Sequence, residues 1–327
     1  MTSMKPQYTV LVTGIGGNVG QGILRNLAQA GLPLRIVGCN VTAVSAGNHL
    51  CHVVHVVPYA FHESYIPTIQ AICAAETVDL IIPSTDYEVY YLAANKASLP
   101  KVAAMPAESA KIFLDKYTTW QHLAPKGVPF AASALPSEYD GSWGEVIVKP
   151  REGRGSRGLH LNPPNPTAFD DSFMVQKLHR GVEVTSIFYV RQDGELHGHM
   201  TFERSLEGGA TTFAEVSTKH DATVEPVIRA LMAAMPITGS CNVQSIIDAD
   251  CQIHPFEVNA RISGTNSIRS QFGFTDVKWT AEEHLLGTAP APLQLQPGCA
   301  IRILMDVIYP GRTLAEVQNI ETPHYLY

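Results

Sequence analysis

The chain has 327 residues, of which 45% are hydrophobic and 16% are charged, a composition that excludes a disordered chain and a coiled coil. At about 100–200 residues per domain, this length predicts two or three domains. The 23 Lys and Arg residues against 30 Asp and Glu residues give a net charge of −7, which argues against nucleic acid or anionic lipid as a partner. We therefore expect small molecules as partners.

The N-terminus and the cysteines point to the compartment. A short polar segment leads directly into a strand-like run, without the features of a secretory signal, and no run of about 18 apolar residues occurs. The six cysteines are scattered, without a C-x-x-C pair, which is typical of reduced thiols. We expect a cytoplasmic protein without a membrane segment.

The first part of the chain alternates β-branched runs with helical ones. The segments YTVLVTG, LRIVGCN, CHVVHVVP and VDLIIPS predict strands, and helices are predicted over 19–30 and 64–76. Gly31 is placed as a residue that ends the first helix. The pattern predicts a doubly wound, Rossmann-like α/β domain over residues 1–106.

The remaining segments predict a change of architecture. A helix starts near Glu108, followed by the strand EVIVKP and the glycine- and arginine-rich loop REGRGSRG. From about residue 173, the runs FMVQKL, EVTSIFYV and ELHGHMTFER predict antiparallel strands, and a helix follows over 224–235. This half is expected to be α+β.

The glycine loop TGIGGNVGQG follows a strand and opens a helix, which is the context of a dinucleotide fingerprint. It supports one alternative, an NAD(P)-dependent oxidoreductase. However, Asn40 stands at the end of the second strand, where an NAD-binding domain carries an acid. No lysine has a Tyr four residues before it, as the proton-transfer pair of such enzymes requires. A tight turn or a substrate-side element is the favoured interpretation.

The segment NVQSIIDADCQIHPFEVNARISG carries the strongest chemical signal. A two-residue turn at Asp250 and Cys251 would place Gln244 directly across from Glu257. Glu257, Asn259 and Arg261 recur with period two, so they project from one face of a strand. Their oxygens, without sulfur or imidazole, suit a hard ion such as Mg²⁺, and Arg261 would contact phosphate beside it. The alternative is a surface hairpin with a solvated polar face.

With these motifs, the chain resembles the ATP-grasp enzymes, nearest to the carbamoyl-phosphate-synthase-like and pyrrolysine-biosynthesis-ligase-like branch. The resemblance implies a pre-ATP-grasp domain over 1–106, an N-terminal subdomain with a mobile lid over 107–175, and an antiparallel C-terminal subdomain over 176–327. It assigns two Mg²⁺ ions, replaceable by Mn²⁺, to Gln244, Glu257 and Asn259, and contact with the transferred phosphate to Arg261.

The resemblance also implies an ATP site. Its residues are the phosphate-binding Lys116 and Lys149, the lid glycine loop at Gly155 and Ser156, the adenine hinge Gln176, Lys177 and Leu178, and the ribose-binding Glu183. Gln176 replaces a residue that is usually Glu in the family. Gly264 replaces an arginine of the carbamoyl-phosphate-synthase pattern, which argues against bicarbonate as the phosphorylated acid.

Several charged residues have two interpretations. Arg204 is expected either near the substrate carboxylate, as in related ligases, or in a surface ion pair. Asp86 and Glu88 follow a strand of the first domain and would recognise an amine there, while an N-cap role is the commoner explanation for Asp86. The loop arginines at 151, 154 and 157 would either steady phosphates or remain solvated.

The expected function is an ATP-dependent carboxylate–amine ligase, which forms an acyl phosphate and then an amide, with release of ADP and phosphate. The expected partners are a small-molecule acid and a small-molecule amine, with amino acids as the commonest case in the family, and a homodimer is compatible with the sequence. The two alternatives are the oxidoreductase and a nucleotide-binding sensor without turnover.

Overall fold

A computed structural model describes residues 7–153, 155 and 157–327. Its first layer is a parallel five-stranded sheet in the order β3-β2-β1-β4-β5. The strands are β1 Tyr8–Val12, β2 Leu34–Asn40, β3 Val53–Val56, β4 Leu80–Ile82 and β5 Lys101–Val102, and the helices are α1 Asn18–Gln29, α2 Tyr65–Glu76 and α3 Asp86–Ala94. The predicted Rossmann-like N-terminal domain is confirmed.

Apolar runs account for this layer, because Val10, Leu11 and Val12 are fully buried between helices on both faces. α1 ends before Gly31, whose φ of +72° is the left-handed conformation expected of a terminating glycine. Since all five strands are parallel, their carboxyl ends meet at one edge. Open sheets of this kind bind ligands at that edge.

A four-stranded antiparallel sheet follows, which we call the lid sheet. It contains β6 Ser133–Ala134, β7 Val146–Pro150, β8 His160–Leu161 and β9 Phe173–Lys177 in the order β6-β9-β7-β8, and it comes after α4 Ala107–Leu114 and α5 Lys116–Leu123. The assignment of FMVQKL to the C-terminal sheet is wrong, because β9 pairs with β6 and β7. The domain boundary proposed after residue 175 falls inside this strand.

The third layer is an antiparallel six-stranded sheet, which we call the large sheet. Its strands are β10 Val182–Val190, β11 Leu196–Glu207, β12 Ala210–Val216, β13 Gly239–Ile247, β14 Ile253–Asn259 and β15 Cys299–Ile301, in the order β14-β13-β10-β11-β12-β15. α6 Asp221–Ala234 packs on one face, where Val224, Ile228 and Leu231 are buried against Val184 and Phe188. The α+β expectation for this half is confirmed.

The chain between β14 and β15 returns to the first layer. It forms α7 Asn266–Arg269 and α8 Asp276–Ala281, and Ile262, Val277 and Ala281 share a core with β1 and α1. A small hairpin, β16 Val307–Ile308 and β17 Tyr325–Leu326, ends the chain. Within the described residues, no helix is both long and apolar enough to cross a bilayer, and all six cysteines are free.

The hairpin of β13 and β14 has the predicted strand pair but a different turn. Gln244 does pair with Glu257, but the predicted two-residue turn is wrong. Asp248 donates its backbone N–H to the carbonyl of Gln252 at 3.0 Å, and Cys251 adopts a left-handed φ of +59°, so the loop is longer. A bulge between Gln244 and Ser245 then shifts the register by one and restores the expected pair.

Candidate active site

A cavity of about 280 Å³ lies between the lid sheet and the large sheet, and we call it the nucleotide cleft. Both sheets contribute apolar and polar side chains, such as Ile147 and Lys149 from the lid sheet and Phe256 and Glu257 from the large sheet. Every described residue predicted for ATP binding lines it: Lys116, Lys149, Gly155, Gln176, Lys177, Leu178 and Glu183. Ser156 lies outside the described residues.

Lys149, in β7, is a lysine of the cleft whose pKa is far from its usual value. Its side chain is almost fully buried, and its Nζ donates to Gln176 Oε1 at 2.8 Å and to the Phe256 carbonyl at 3.1 Å. Both acceptors are neutral. Burial therefore lowers the pKa of Lys149 to about 7, with Glu257 opposing the shift and Lys116 adding to it.

Lys116 begins α5 at the mouth of the same cleft. Its Nζ donates to the Gly153 carbonyl at 3.1 Å and lies 3.9 Å from Glu257 Oε1. The preceding Asp115 caps the helix by accepting from the N–H groups of Tyr117 and Thr118 and also pairs with Arg151. Asp115 thus fixes both the start of the helix and the base of the lid loop, which orients Lys116 toward the cleft.

Two backbone N–H groups of the predicted adenine hinge already form hydrogen bonds within the protein. The backbone N–H of Lys177 donates to Ala132 O at 2.8 Å, and that of Leu178 donates to Glu145 O at 2.9 Å. Gln176 holds Lys149 on one side and donates to Ser133 Oγ at 3.0 Å on the other. In the described chain, His179 is the first residue after β9 whose backbone N–H has no acceptor.

The predicted metal ligands lie side by side on one face of the large sheet. Gln244 on β13 opposes Glu257 on β14, and Asn242 opposes Asn259. The amide oxygen of Gln244 accepts from Arg204 at 2.8 Å, and that of Asn259 accepts from Arg261 at 3.0 Å. Each amide oxygen has a second lone pair that could accept a further ligand. Two amide oxygens and one carboxylate lie close together, and such oxygen ligands fit a hard divalent cation.

Unpartnered polar atoms concentrate on this same face. Among the described side chains, those buried without a hydrogen-bond partner include Glu183 Oε1, Thr185 Oγ1, Arg204 Nε and Asn242 Nδ2. Thr185 pairs directly with Gln244 across the strands. Buried polar groups are rarely left without partners, so this concentration marks a site that a polar ligand completes.

Arg204 belongs to this face and is not in a surface ion pair. Its guanidinium lies 3.5 Å from Glu183 Oε1 and donates to Thr211 Oγ1 at 3.2 Å, besides its bond to Gln244. Burial lowers the pKa of Arg204, and Glu183 and Glu257 oppose the shift. Burial also raises the pKa of Glu183, although Arg204 counteracts it. The contact between Arg204 and Glu183 therefore lies within the cavity wall, largely shielded from water.

Arg261 joins the large sheet to the N-terminal domain. Its Nε donates to Asp86 Oδ2 at 3.0 Å. The expectation of an N-cap at Asp86 is wrong, because Thr85 caps α3 and forms a reciprocal capping box with Glu88. Asp86 is instead free to orient Arg261. Glu88 is buried, burial raises its pKa, and its capping bonds explain its position.

A second cavity of about 600 Å³ adjoins the nucleotide cleft, and we call it the acceptor cavity. It lies between the carboxyl edge of the first sheet and the face of the large sheet. The two cavities share Gly155, Arg157, Leu206, Gln244 and Glu257, while Arg204, Asn259 and Arg261 line the acceptor cavity alone. A group in the acceptor cavity can therefore meet a group in the nucleotide cleft at the Gln244 and Glu257 wall.

The N-terminal glycine loop lines the acceptor cavity through Gly14 and Gly17. Gly14 has a φ of +60°, and a side chain there would overlap Ser84 Oγ. A side chain at Gly20 would meet the Gly14 carbonyl oxygen. Tight backbone packing thus explains the glycines, in agreement with the interpretation of the loop as a turn on the substrate side.

The described part of the lid loop reaches the large sheet. Gly155 lies against the turn after β11, where a side chain at Gly209 would overlap the Gly155 carbonyl oxygen. Arg157 lines both cavities, whereas Arg151 is held by Asp115, and Arg154 lies outside the described residues. Arg151 and Arg157 therefore have different surroundings.

Sequence reasoning missed several lining residues. Thr185 follows Glu183 at the two-residue spacing of one strand face, a signal that could have found it. The ring of His179 stacks on that of His254, with centroids 3.6 Å apart, at the hinge end of the nucleotide cleft. Nothing in the sequence indicated that pair, because it joins the lid hinge to a distant strand.

A family model for the PylC-like N-terminal domain matches residues 10–105. A search of curated proteins found no match.

Solved structures match almost the whole chain. N5-carboxyaminoimidazole synthetase from Staphylococcus aureus, complexed with ADP, has a TM-score of 0.76 at 13% identity, with 93% of this chain and 84% of that chain covered. L-amino acid ligase from Bacillus licheniformis has a TM-score of 0.68 at 13% identity, with 86% and 75% covered. Biotin carboxylase from Campylobacter jejuni has a TM-score of 0.68 at 16% identity, with 90% and 74% covered. The expected ATP-grasp fold is thus confirmed.

Proposed function

We propose that the protein is an ATP-dependent carboxylate–amine ligase that releases ADP and phosphate. The observation that carries the proposal is the shared wall of the two cavities, where Gln244 and Glu257 face both. A nucleotide in the cleft and an acid in the acceptor cavity would meet there. Structures of similar fold include an ADP-bound N5-carboxyaminoimidazole synthetase and an L-amino acid ligase, which supports the proposal.

The nucleotide would be held by residues of both sheets. Lys116 and Lys149 would neutralise its phosphates, Gly155 would close over them, and Glu183 would accept from its ribose. Because the N–H groups of Lys177 and Leu178 are already bonded, the amide of His179 would serve the adenine ring in the hinge.

Gln244, Glu257 and Asn259 would hold the proposed Mg²⁺ ions. When bound, the ions would neutralise the charge of the phosphoryl group during its transfer. Arg204 and Arg261 orient the two amide oxygens through the bonds described above. The same guanidinium groups would hold the substrate carboxylate and the transferred phosphoryl oxygens.

The reaction would proceed in two transfers. The carboxylate oxygen attacks the γ-phosphorus, the bond to the β-phosphate oxygen breaks, and ADP leaves. The amine nitrogen then attacks the acyl phosphate, phosphate leaves, and the nitrogen loses a proton to give the amide. The lid loop over the shared wall would exclude water from the acyl phosphate.

The test is ADP release with MgATP, pooled carboxylic acids that include amino acids and bicarbonate, and hydroxylamine as a surrogate amine. Hydroxamate formed together with ADP would establish the chemistry. Glu257→Ala should lower the rate on the order of a hundredfold or more, since it removes the one carboxylate among the three proposed metal ligands. Glu215→Ala is the matched control, because Glu215 is an exposed glutamate of the same sheet that lines neither cavity.

Three results would contradict the proposal. An unchanged rate in Glu257→Ala would remove the metal assignment. MgATP binding without ADP release in any mixture would favour the sensor. Tight NADPH binding with indifference to ATP would favour the oxidoreductase.

A further inference from the structure

The lining of the acceptor cavity has a charged part, which we call the charged end, and an uncharged part, which we call the uncharged end. The charged end contains Asp86, Glu88, Arg157, Arg204, Glu257 and Arg261. The uncharged end consists of residues that follow β2 and β3: Val41, Pro58, Tyr59, Ala60 and Phe61. A cavity of this kind matches a ligand with a charged head and an apolar body.

Two aromatic rings dominate the uncharged end. The rings of Tyr59 and Phe61 are nearly parallel, with an interplanar angle of 3° and centroids 5.4 Å apart. They are 55% and 61% exposed, although large aromatic side chains usually stabilise a protein by burial. Both rings line the acceptor cavity. Their exposed faces are therefore available to a molecule inside it.

The segment that carries these rings is held in place. Val57 donates its backbone N–H to Asn40 O at 2.9 Å, and His62 donates its backbone N–H to Tyr59 O at 2.9 Å. Pro58 restricts the backbone between them. A preorganised surface loses little entropy when a ligand binds.

The aromatic pair is also connected to the lid. The edge of the Tyr87 ring packs against Phe61, with centroids 6.2 Å apart, and the Tyr87 hydroxyl donates to Glu152 Oε2 at 2.7 Å. Glu152 lies at the base of the lid loop. Tyr87 therefore connects the uncharged end of the acceptor cavity to the lid loop.

We propose that Tyr59 and Phe61 form a subsite for an aromatic or branched aliphatic group of one of the two substrates. This inference rests on the proposed ligase function and names the substrate class that the site selects. A substrate of this class places its carboxylate or amine at the charged end and covers the two rings with its apolar body. A small polar substrate leaves both rings in water and gains nothing from them.

The experiment has two arms that identify which substrate carries the apolar group. In the acid arm, hydroxamate formation is measured with 3-phenylpropionate, L-phenylalanine, L-leucine, glycine and L-aspartate. In the amine arm, the best acid is kept and ADP release is compared with phenethylamine and ethanolamine. We expect the apolar members of one arm to have the lower KM.

Variants then connect this preference to the two rings. Tyr59→Ala and Phe61→Ala should each raise the KM for the preferred apolar substrate about tenfold, because each removes a ring from the contact. The KM for ATP should not change, and Phe61→Tyr should retain the preference. Tyr325→Ala is the control, since Tyr325 is 53% exposed and lines neither cavity.

Calorimetry separates failure of this inference from failure of the ligase proposal. 3-Phenylpropionate, phenethylamine and glycine are titrated into the protein with a non-hydrolysable ATP analogue and Mg²⁺. Binding of an apolar probe that Tyr59→Ala weakens about tenfold would support the subsite even without turnover. Equal binding in the wild type and both alanine variants, no binding of either apolar probe, or a preference for glycine would overturn it.

Discussion

Burial lowers the pKa of Lys149 into the neutral range. An ammonium group inside the cleft, paired only with the amide oxygen of Gln176 and a carbonyl oxygen, has lost water without gaining a contacting carboxylate. Its pKa of about 7 leaves the free protein with roughly half of this charge at neutral pH. Phosphate groups beside it would favour the charged form.

The first prediction follows from this pKa. MgATP affinity should be highest below pH 7 and should fall by up to about fiftyfold between pH 7 and pH 9, because the neutral amine must take up a proton on binding. Gln176→Glu places a carboxylate against Lys149 and should move this fall to higher pH. The measurement is calorimetry across that range in buffers of different ionisation enthalpy.

Lys149→Met serves as the control for that prediction. It should bind MgATP weakly and with little dependence on pH across this range. A wild-type affinity that is constant from pH 6 to pH 9 would show that Lys149 does not bind phosphate in the neutral range.

At the scale of the element, the lid loop and the turn after β11 illustrate how two glycines differ. Gly208 and Gly209 both have positive φ, at +55° and +77°. A side chain at Gly208 would meet open space, whereas one at Gly209 would overlap the backbone of Gly155. Only the second position controls the distance between the lid loop and the large sheet.

The second prediction compares these neighbours. Gly209→Ala should weaken MgATP binding about tenfold, because the lid loop can no longer close on the cleft. Gly208→Ala bears a similar backbone strain and should leave MgATP affinity unchanged. Calorimetric titration measures the affinity, and thermal unfolding confirms that both variants fold. Equal affinities in the two variants would show that the contact with Gly155 has no role in binding.

At the scale of the molecule, the segment after β14 connects the large sheet to the N-terminal domain. Arg269 and Asp276 are both fully buried and form an ion pair within it. Asp276 also accepts from Ser240 Oγ on β13. Beside this pair, Asn26 on α1 donates to the Asn266 carbonyl at 3.2 Å. These contacts set the position of the two sheets that enclose the acceptor cavity.

The third prediction concerns this pair. Asp276→Ala leaves the Arg269 charge buried and should lower the free energy of unfolding by about 3–5 kcal/mol. Glu225→Ala breaks the exposed pair with Arg229 on α6 and should have a much smaller effect, because solvent screens an exposed pair. Denaturant unfolding measures both. A loss below about 1 kcal/mol for Asp276→Ala would show that the segment tolerates the uncompensated charge.

Local residue patterns were sufficient to predict a parallel and an antiparallel sheet and the clustering of the proposed metal ligands, whereas the residues of the ATP site were assigned from the family resemblance. Apolar runs and helical periodicity are signals carried by neighbouring residues, so they indicated both sheet types. The two-residue spacing of Glu257, Asn259 and Arg261 predicted that they share one face, and all three line the acceptor cavity. For Glu257 and Asn259 the prediction succeeded because the spacing along one strand fixes which face a side chain occupies. Arg261 lies beyond the end of β14, and its bonds to Asp86 and Asn259 hold it at the same cavity.

Contacts between distant groups depend on the tertiary structure instead. The bulge that aligns Gln244 with Glu257, the contact of Arg204 with Glu183, and the membership of β9 in the lid sheet all require pairing between separate strands. The same holds for the uncharged end of the acceptor cavity, where Phe61 packs against Tyr87 of α3. Such contacts arise from packing across large sequence separations, and local residue patterns carry no information about them.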